Sequence, residues 1–279
     1  MTRIPCLRLS RLVALPLLFL PGLAAAELPA RFKENPELKI SMNVEYPPLE
    51  SVDPATGKPV GFDIDLIGAV AEKLGLTVEI QPSSFEQLTP SLQTGRADVI
   101  ISGMYDTPKR QEVFDFVDYL RAGAQVYTTK ASDLKVLTDI CGKSVSVPKT
   151  TSYPDKLTAW SEENCVKAGL PPVELSLDIG RAQQQINIKT GRVVAGVTGL
   201  ESLGAEVTGE KAEFALLGEP IAHAIMGIAF RKDDAALRDA VYETLKGFVA
   251  DGTYDALLAK WNLTPSAYPS LSINLEPVK

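Results

Sequence analysis

Histidine is almost missing from this chain: its 279 residues include one, His223, together with only three cysteines and two tryptophans. With no C-x-x-C pair and no second histidine, the usual zinc ligand sets cannot be assembled. There is no G-x-S-x-G elbow, no H-E-x-x-H helix and no G-x-G-x-x-G opening a helix. CGKS at 141–144 ends like a phosphate-binding loop, but the glycine that should begin such a loop would fall at Leu137. Positive charge is also scarce, with 28 Lys and Arg against 35 Asp and Glu and a formal charge of −7. An acidic surface disfavours nucleic acid and anionic membrane as partners. These absences leave no metal or cofactor to expect, and they make His223 a structural or lining residue.

Long apolar runs are absent too, except near the start. Residues 1–26 carry Arg3, Arg8 and Arg11 and no acid, then LVALPLLFL, then GLAAA before Glu27. The apolar run is too short to cross a bilayer and Pro16 interrupts it. A charged stretch, a short apolar core and an A-x-A site at Ala24 and Ala26 describe a signal peptide cut after Ala26. Cleavage would remove Cys6 and three arginines, leaving 253 of the 279 residues and taking the charge from −7 to −10. Cys141 and Cys165 then remain, twenty-four residues apart, in a chain sent to an oxidising compartment. A disulfide between them is expected, with two buried thiols as the alternative.

Beyond the leader, the chain alternates between two periods. LKISMNV (38–44), TVEIQP (77–82), ADVIIS (97–102), SVSVP (144–148), VELSL (173–177), VVAGVT (193–198) and IMGIAF (225–230) read as strands. Helical spacing occupies 61–75, 85–95, 153–169, 181–191, 234–250 and 253–261, with Gly75 and Gly95 as stops. The tail after Trp261, rich in Pro and Ser, reads as irregular. Such alternation implies an α/β protein whose mostly parallel sheets are covered by helices, with ligands at the carboxyl ends of the strands. The strand ending at Ser102-Gly103 is such an end, and Arg110 lies a few residues beyond it.

The order of these segments resembles the bacterial solute-binding protein family 3, the periplasmic receptors of polar amino-acid ABC importers. EYPPLE (45–50) resembles that family's Y-x-P-F-E turn. GKPVGFDIDLIGAVAEKLG (57–75) resembles G-x-x-x-G-F-D-V-D-L-x-x-x-x-A-x-x-L-G. LTPSLQTGRADVIISGM (88–104) and TPKRQEVFDFVDY (107–119) resemble L-x-x-x-L-x-x-G-x-x-D and T-x-x-R-x-x-x-x-D-F, and GRVVAGVTG (191–199) and ADGTYDALLAKWNL (250–263) continue the series. The resemblance covers nearly the whole chain after the leader. It implies a two-lobe periplasmic binding protein fold (type II), each lobe a mostly parallel sheet flanked by helices, with the ligand cleft between the lobes. The expected divisions are 1–26 leader, 27–123 first lobe, 124–226 inserted second lobe and 227–279 return to the first. The crossings are expected near 121–129 and 223–230. A hinge rotation would close the lobes on a ligand.

The same resemblance implies the site. Arg110 matches the arginine that grips a ligand carboxylate, a task for which a planar guanidinium fork is better suited than an ammonium. Gly103 and Tyr105 match positions whose backbone holds the ligand's polar ends. Tyr46 and Phe85 match aromatic covers, with ordinary core packing as the alternative. Thr150 and Thr151 fall where a helix begins, so their N–H groups and hydroxyls suit an anion or merely cap the helix. Lys149 stands at a place often held by glycine, and Arg181 begins the next helix near the cleft.

This sequence also departs from the α-amino-acid pattern. The acid that holds the ligand ammonium would fall at Gly199, the usual Asp within its segment is Val194, and the first-lobe acid of several relatives is Asn43. Glu201 or Glu45 are the candidates to replace it. Otherwise an acidic, hydroxylated or aromatic carboxylate is the expected ligand, since a buried ammonium without an acid is costly. The expected function is therefore capture of a small carboxylate-bearing solute by a periplasmic monomer that delivers it to a membrane ABC permease. The alternatives are an enzyme on the same fold, resembling the periplasmic cyclohexadienyl dehydratases, and a receptor for a membrane sensor.

Overall fold

The computed structural model describes residues 28–203, 207 and 212–277, so the leader and its cleavage site lie outside the described residues. A short helix α1 (Arg31–Glu34) precedes β1 (Glu37–Met42), and a small hairpin pairs β2 (Ser51–Val52) with β3 (Pro59–Val60). Helix α2 (Phe62–Lys73) buries Phe62, Leu66, Ile67, Val70 and Ala71. These positions recur at three- and four-residue spacing along one face, and Asp63 and Asp65 favour the positive N-terminal end. Gly75, with φ of 72°, ends the turn in a left-handed conformation that a side chain would resist.

Next come β4 (Thr77–Pro82), α3 (Phe85–Gln93), β5 (Val99–Ile100) and α4 (Pro108–Gln111). Strands β1 and β4, and β1 and β5, pair in parallel. Leu38, Ile40 and Met42 are fully enclosed between strand neighbours and helices. The centre of the molecule is β6 (Phe114–Thr129), whose residues are almost all buried on both faces. After it come β7 (Ser144–Pro148), α5 (Tyr153–Ser161), β8 (Glu174–Asp178), α6 (Arg181–Lys189), β9 (Ala195–Gly199) and β10 (Phe214–Leu216). The chain returns through β11 (Ala222–Arg231), α7 (Ala235–Asp251), α8 (Thr253–Lys260), β12 (Ala267–Ile273) and β13 (Glu276–Pro277).

The main strand order is β4-β1-β5-β11-β6-β9-β7-β8. One end, β4-β1-β5, is parallel, and so is the other, β9-β7-β8. Long antiparallel strands β6 and β11 lie between them. β6 pairs with β11 from Phe114 to Ala124, then with β9 from Ala124 to Tyr127. One strand therefore serves both parallel groups, which form the two lobes of the fold, and β11 runs beside it. The strands at 144–148 and 77–82 are where their sequence patterns place them. Helix α5 is shorter than its pattern, giving way at Glu162–Val166 to a wider π turn that carries Cys165. Cys165 is bonded to Cys141, just before β7, as a disulfide.

The tail after Trp261 is not irregular. Residues 267–273 form β12, which pairs with β6 at Ala267, Ser272 and Ile273 and skips the residues between. Buried Leu271 and Ser272 fasten it, while Pro269 and Ser270 bow out into solvent where the pairing is broken. Among the described residues no helix is long and apolar enough to cross a membrane.

Candidate functional site

The carboxyl ends of β1, β4 and β5 face those of β7, β8 and β9 across one cavity of about 610 Å³. Five of these strands release a short loop into it, Asn43 to Tyr46, Ser83 to Glu86, Ser102 with Gly103, Thr150 to Tyr153 and Ile179 to Arg181, and β9 contributes Thr198 from its carboxyl end. Eight of the ten expected site residues line this space, namely Tyr46, Phe85, Gly103, Tyr105, Arg110, Thr150, Thr151 and Arg181. Lys149 and Gly199 do not. Lys149 turns outward to an ion pair with Glu86 at 2.8 Å, and Gly199 lies behind Tyr46.

Arg110 is placed by its own loop. Thr107 caps α4 by accepting from the Arg110 N–H, and Pro108 occupies the first helical turn, where its missing N–H costs nothing. The guanidinium Nη1 donates to the Tyr105 carbonyl oxygen at 2.7 Å, and the group sits 5.6 Å above the Phe85 ring. Among the described residues no carboxylate comes within salt-bridge distance of it, although the Asp106 charge favours it from further away. Burial works against its charge, and Lys156 of α5, itself pushed down by burial and by Arg110, adds a second positive group nearby.

The backbone groups of the loop are more committed than the sequence implies. The Gly103 N–H donates to Asp63 Oδ2 at 3.0 Å, and the Tyr105 carbonyl is taken by Arg110. Gly103 is required for two reasons: its φ is 52°, and a Cβ there would lie 2.9 Å from the Tyr46 ring. Thr151 donates its hydroxyl to the Pro148 carbonyl and accepts from the Tyr153 N–H. It therefore orders the turn into α5, while Thr150 stays exposed.

A group of three tyrosines spans the cleft. The Tyr153 hydroxyl is 3.3 Å from those of both Tyr46 and Tyr105, and its ring meets the Tyr105 ring edge-on. The Tyr46 hydroxyl donates to Glu201 Oε1 at 2.6 Å. Burial pushes the Glu201 carboxyl up to about 7, against the opposing effect of the Tyr46 hydrogen bond and the Arg181 charge. Arg181 donates to the Ser202 carbonyl in the same turn. A side chain at 199 would overlap both Glu201 Oε1 and the Tyr46 hydroxyl, so Gly199 is the space that Glu201 uses. Of the two acids considered as replacements, Glu201 is behind the cleft floor, and exposed Glu45 is at its rim. Asn43 spends its side-chain N–H on the Ser83 carbonyl, and exposed His223 lies on β11 opposite Gly123.

At the floor of the cavity lies Glu50, whose Oε1 accepts from Ser102 Oγ at 2.9 Å. It is fully buried against Asp63, and burial followed by the Asp63 charge raises it well above the carboxylate range. Asp63 accepts from the Tyr119 hydroxyl at 2.7 Å as well as from Gly103, and burial pushes it up to about 6. The sequence alone assigns no role to Tyr153, Glu50 or Ser102. Glu50 and Ser102 stand inside family motifs, but their contact spans 52 residues. Tyr153 reads in sequence as the first residue of a helix, and the one signal for it is its position two after Thr151.

Known proteins resemble this chain in sequence and fold. The profile of the bacterial extracellular solute-binding proteins, family 3, matches residues 38–264. The arginine-binding protein ArgT of Corynebacterium glutamicum is 27% identical over 258 residues, covering 91% of this chain and 83% of that protein. The L-cystine-binding protein TcyJ of Escherichia coli K12 is 26% identical, covering 83% of this chain and 84% of its own. Among solved structures, an ancestral arginine-binding protein bound to arginine superposes with a TM-score of 0.72 at 33% identity, covering 81% of this chain and 98% of the other.

Proposed function

Because the chain belongs to the bacterial extracellular solute-binding proteins, family 3, we propose that it captures a small carboxylate-bearing solute in the periplasm and delivers it to a membrane ABC permease. Several relatives are named for amino acids: arginine, cystine and histidine. The observation that carries the carboxylate is Arg110. It is a half-buried cation facing a 610 Å³ cavity, positioned by a backbone carbonyl and without a paired acid among the described residues. A ligand carboxylate would supply the missing charge and accept in a bidentate fork. Tyr46, Phe85 and Tyr105 of the first lobe and Tyr153 of the second would enclose its body.

Contacts that cross between lobes, such as Tyr46 to Glu201 and Lys149 to Glu86, support capture by hinge closure. Lobes joined by β6 and β11 can pivot there while each parallel sheet stays intact. The proposed division places 27–123 and 227–279 in the first lobe and 124–226 in the second, with the leader at 1–26 removed on export.

The test is a thermal-shift screen over amino acids, keto acids, dicarboxylates and aromatic acids, then calorimetry and small-angle scattering with each hit. A ligand at 100 times its dissociation constant stabilises the fold by about 2.7 kcal/mol, and the radius of gyration should fall. Tight binding of solutes that carry no carboxylate would overturn the reading. One observation favours a second reading: the buried Glu201 carboxyl, held near neutrality beside the cleft, is a group able to hold or give a proton. On that reading the chain is an enzyme of the cyclohexadienyl dehydratase kind. Incubation with prephenate or arogenate, with product measured, separates the two.

A further inference from the structure

Glu201 does something that a passive wall residue need not do: it joins the lobes at the bottom of the cleft. It sits on the turn after β9 in the second lobe, while Tyr46 belongs to the first-lobe turn after β1, 155 residues away. In this closed arrangement the Tyr46 hydroxyl caps Oε1, and Oε2 is buried with no hydrogen-bond partner among the described residues. A buried oxygen without a donor is costly when the carboxyl is charged and cheap when it carries a proton. Gly199 makes the arrangement possible, because any side chain there would displace both the carboxylate and the tyrosine hydroxyl.

We propose that closing the cleft takes up a proton on Glu201, so that acidification favours the closed form. The inference rests on the reading that the lobes open and close. When they part, Tyr46 leaves with the first lobe and water reaches both carboxyl oxygens. When they meet, the Tyr46 hydroxyl takes the place of water at Oε1 while Oε2 is left without a partner among the described residues, and a proton there removes the cost of the charge. Linkage makes the effect reciprocal: whatever closure does to proton affinity, protonation does to closure.

The other groups that act on Glu201 do not reverse the sign. Tyr105 of the first lobe and Tyr153 of α5 are neutral in this range, because burial and then the Glu201 charge raise both above the ordinary tyrosine value. Glu50, at the cavity floor, opposes a second negative charge. Arg181 of α6 and the amides of Gly123 and Glu201 favour the charged form, but burial is the larger effect and leaves the carboxyl near 7. An acid whose pKa rises on closure stabilises the closed state below its open-state value and loses that stabilisation as pH rises through the closed-state value. The window therefore runs from the ordinary glutamate range, about 4.3, up to about 7.

The test is small-angle scattering of the exported full chain without ligand, from pH 4.5 to 8.5. The closed-to-open ratio should rise by about tenfold per pH unit as pH falls within the window, and the radius of gyration should fall with it. Glu201→Gln, neutral at every pH, should remove the step and hold the compact form throughout. A step that persists in Glu201→Gln overturns the inference. Should that variant fold poorly, the carbon-13 carboxyl resonance of Glu201 in the unsubstituted protein gives a second measure. Its midpoint must coincide with the change in shape, and a midpoint in the ordinary glutamate range, apart from that change, also overturns the proposal. If a ligand compacts the protein while pH does not, this inference fails and hinge closure stands. If neither does, both fail.

Discussion

Lys149 Nζ meets Glu86 Oε1 at 2.8 Å across the mouth of the cavity, one charge from each lobe. Both side chains are roughly 44% exposed, so water and salt screen the pair heavily. An exposed pair of this kind contributes about 0.2–1 kcal/mol, and on the proposed hinge closure it does so in the closed form alone. Lys149→Gln and Glu86→Gln should each weaken ligand affinity by about 1.5- to 5-fold at low salt. The double substitution should cost no more than either single one, and the effect should fade in high salt. Calorimetry of the four proteins at two ionic strengths checks this.

Arg110 should matter far more. Its guanidinium is half-buried, steered by the Tyr105 carbonyl and stacked near Phe85. Arg110→Ala would leave a ligand carboxylate unpaired in a closed cleft, a loss of about 2–5 kcal/mol, or roughly 30- to several-thousand-fold in affinity. Arg110→Lys should recover only part, because an ammonium lacks the fork. The ligand-free melting temperature should change little, since the guanidinium holds one carbonyl of its own loop and no core contact. Titration of both variants with a ligand from the screen, beside their melting curves, measures the two effects separately.

The disulfide between Cys141 and Cys165 closes a loop of 24 residues around β7 and α5. In the chain-entropy account such a loop stabilises by about 3 kcal/mol. Neither cysteine lines the cavity, so reduction should lower the melting temperature while leaving ligand affinity, measured well below that temperature, nearly unchanged. A loss of affinity as large as that of Arg110→Ala would mean that the loop shapes the site directly.

Much of the fold is legible in the chain because local patterns and motif order agree. The strands at 77–82 and 144–148, the helix opening at Phe62 and the loop around Arg110 each carry their own signals in turn residues and apolar spacing. The strand after Trp261 is not legible, because β12 is made by pairing with β6 about 150 residues away, not by its own propensity. The site shows the same division. Arg110 and Tyr46 stand in motifs, whereas the use of the space at Gly199 by the Glu201 carboxyl depends on where Tyr46 arrives from the other lobe. Lys149 is a candidate in sequence because it stands at a place often held by glycine, but its long side chain turns to Glu86.

The acids Asp106 and Asp118 pack together under the Arg110 loop and set a further pH dependence. Asp118 Oδ2 accepts from Ser272 Oγ at 2.6 Å and from the Leu275 N–H at 2.9 Å, and Asp106 Oδ1 accepts from Gln111 Nε2 at 2.8 Å. The remaining oxygens, Asp118 Oδ1 and Asp106 Oδ2, are buried without a donor among the described residues. A proton shared between the two carboxyls satisfies both at once, and burial with the Asp106 charge pushes Asp118 up to about 7. An acid raised in the folded state stabilises the fold below its unfolded pKa, about 3.9, and loses that contribution as pH rises through the folded value. The protein should therefore lose about 1–3 kcal/mol between pH 4 and pH 8 from this pair alone. Asp118→Asn supplies a permanent N–H donor to Asp106 and keeps an oxygen for Ser272, so its stability should depend less on pH and exceed that of the unsubstituted protein at pH 8. Urea unfolding of both proteins across this range decides it, and parallel pH profiles would show that no proton is shared there.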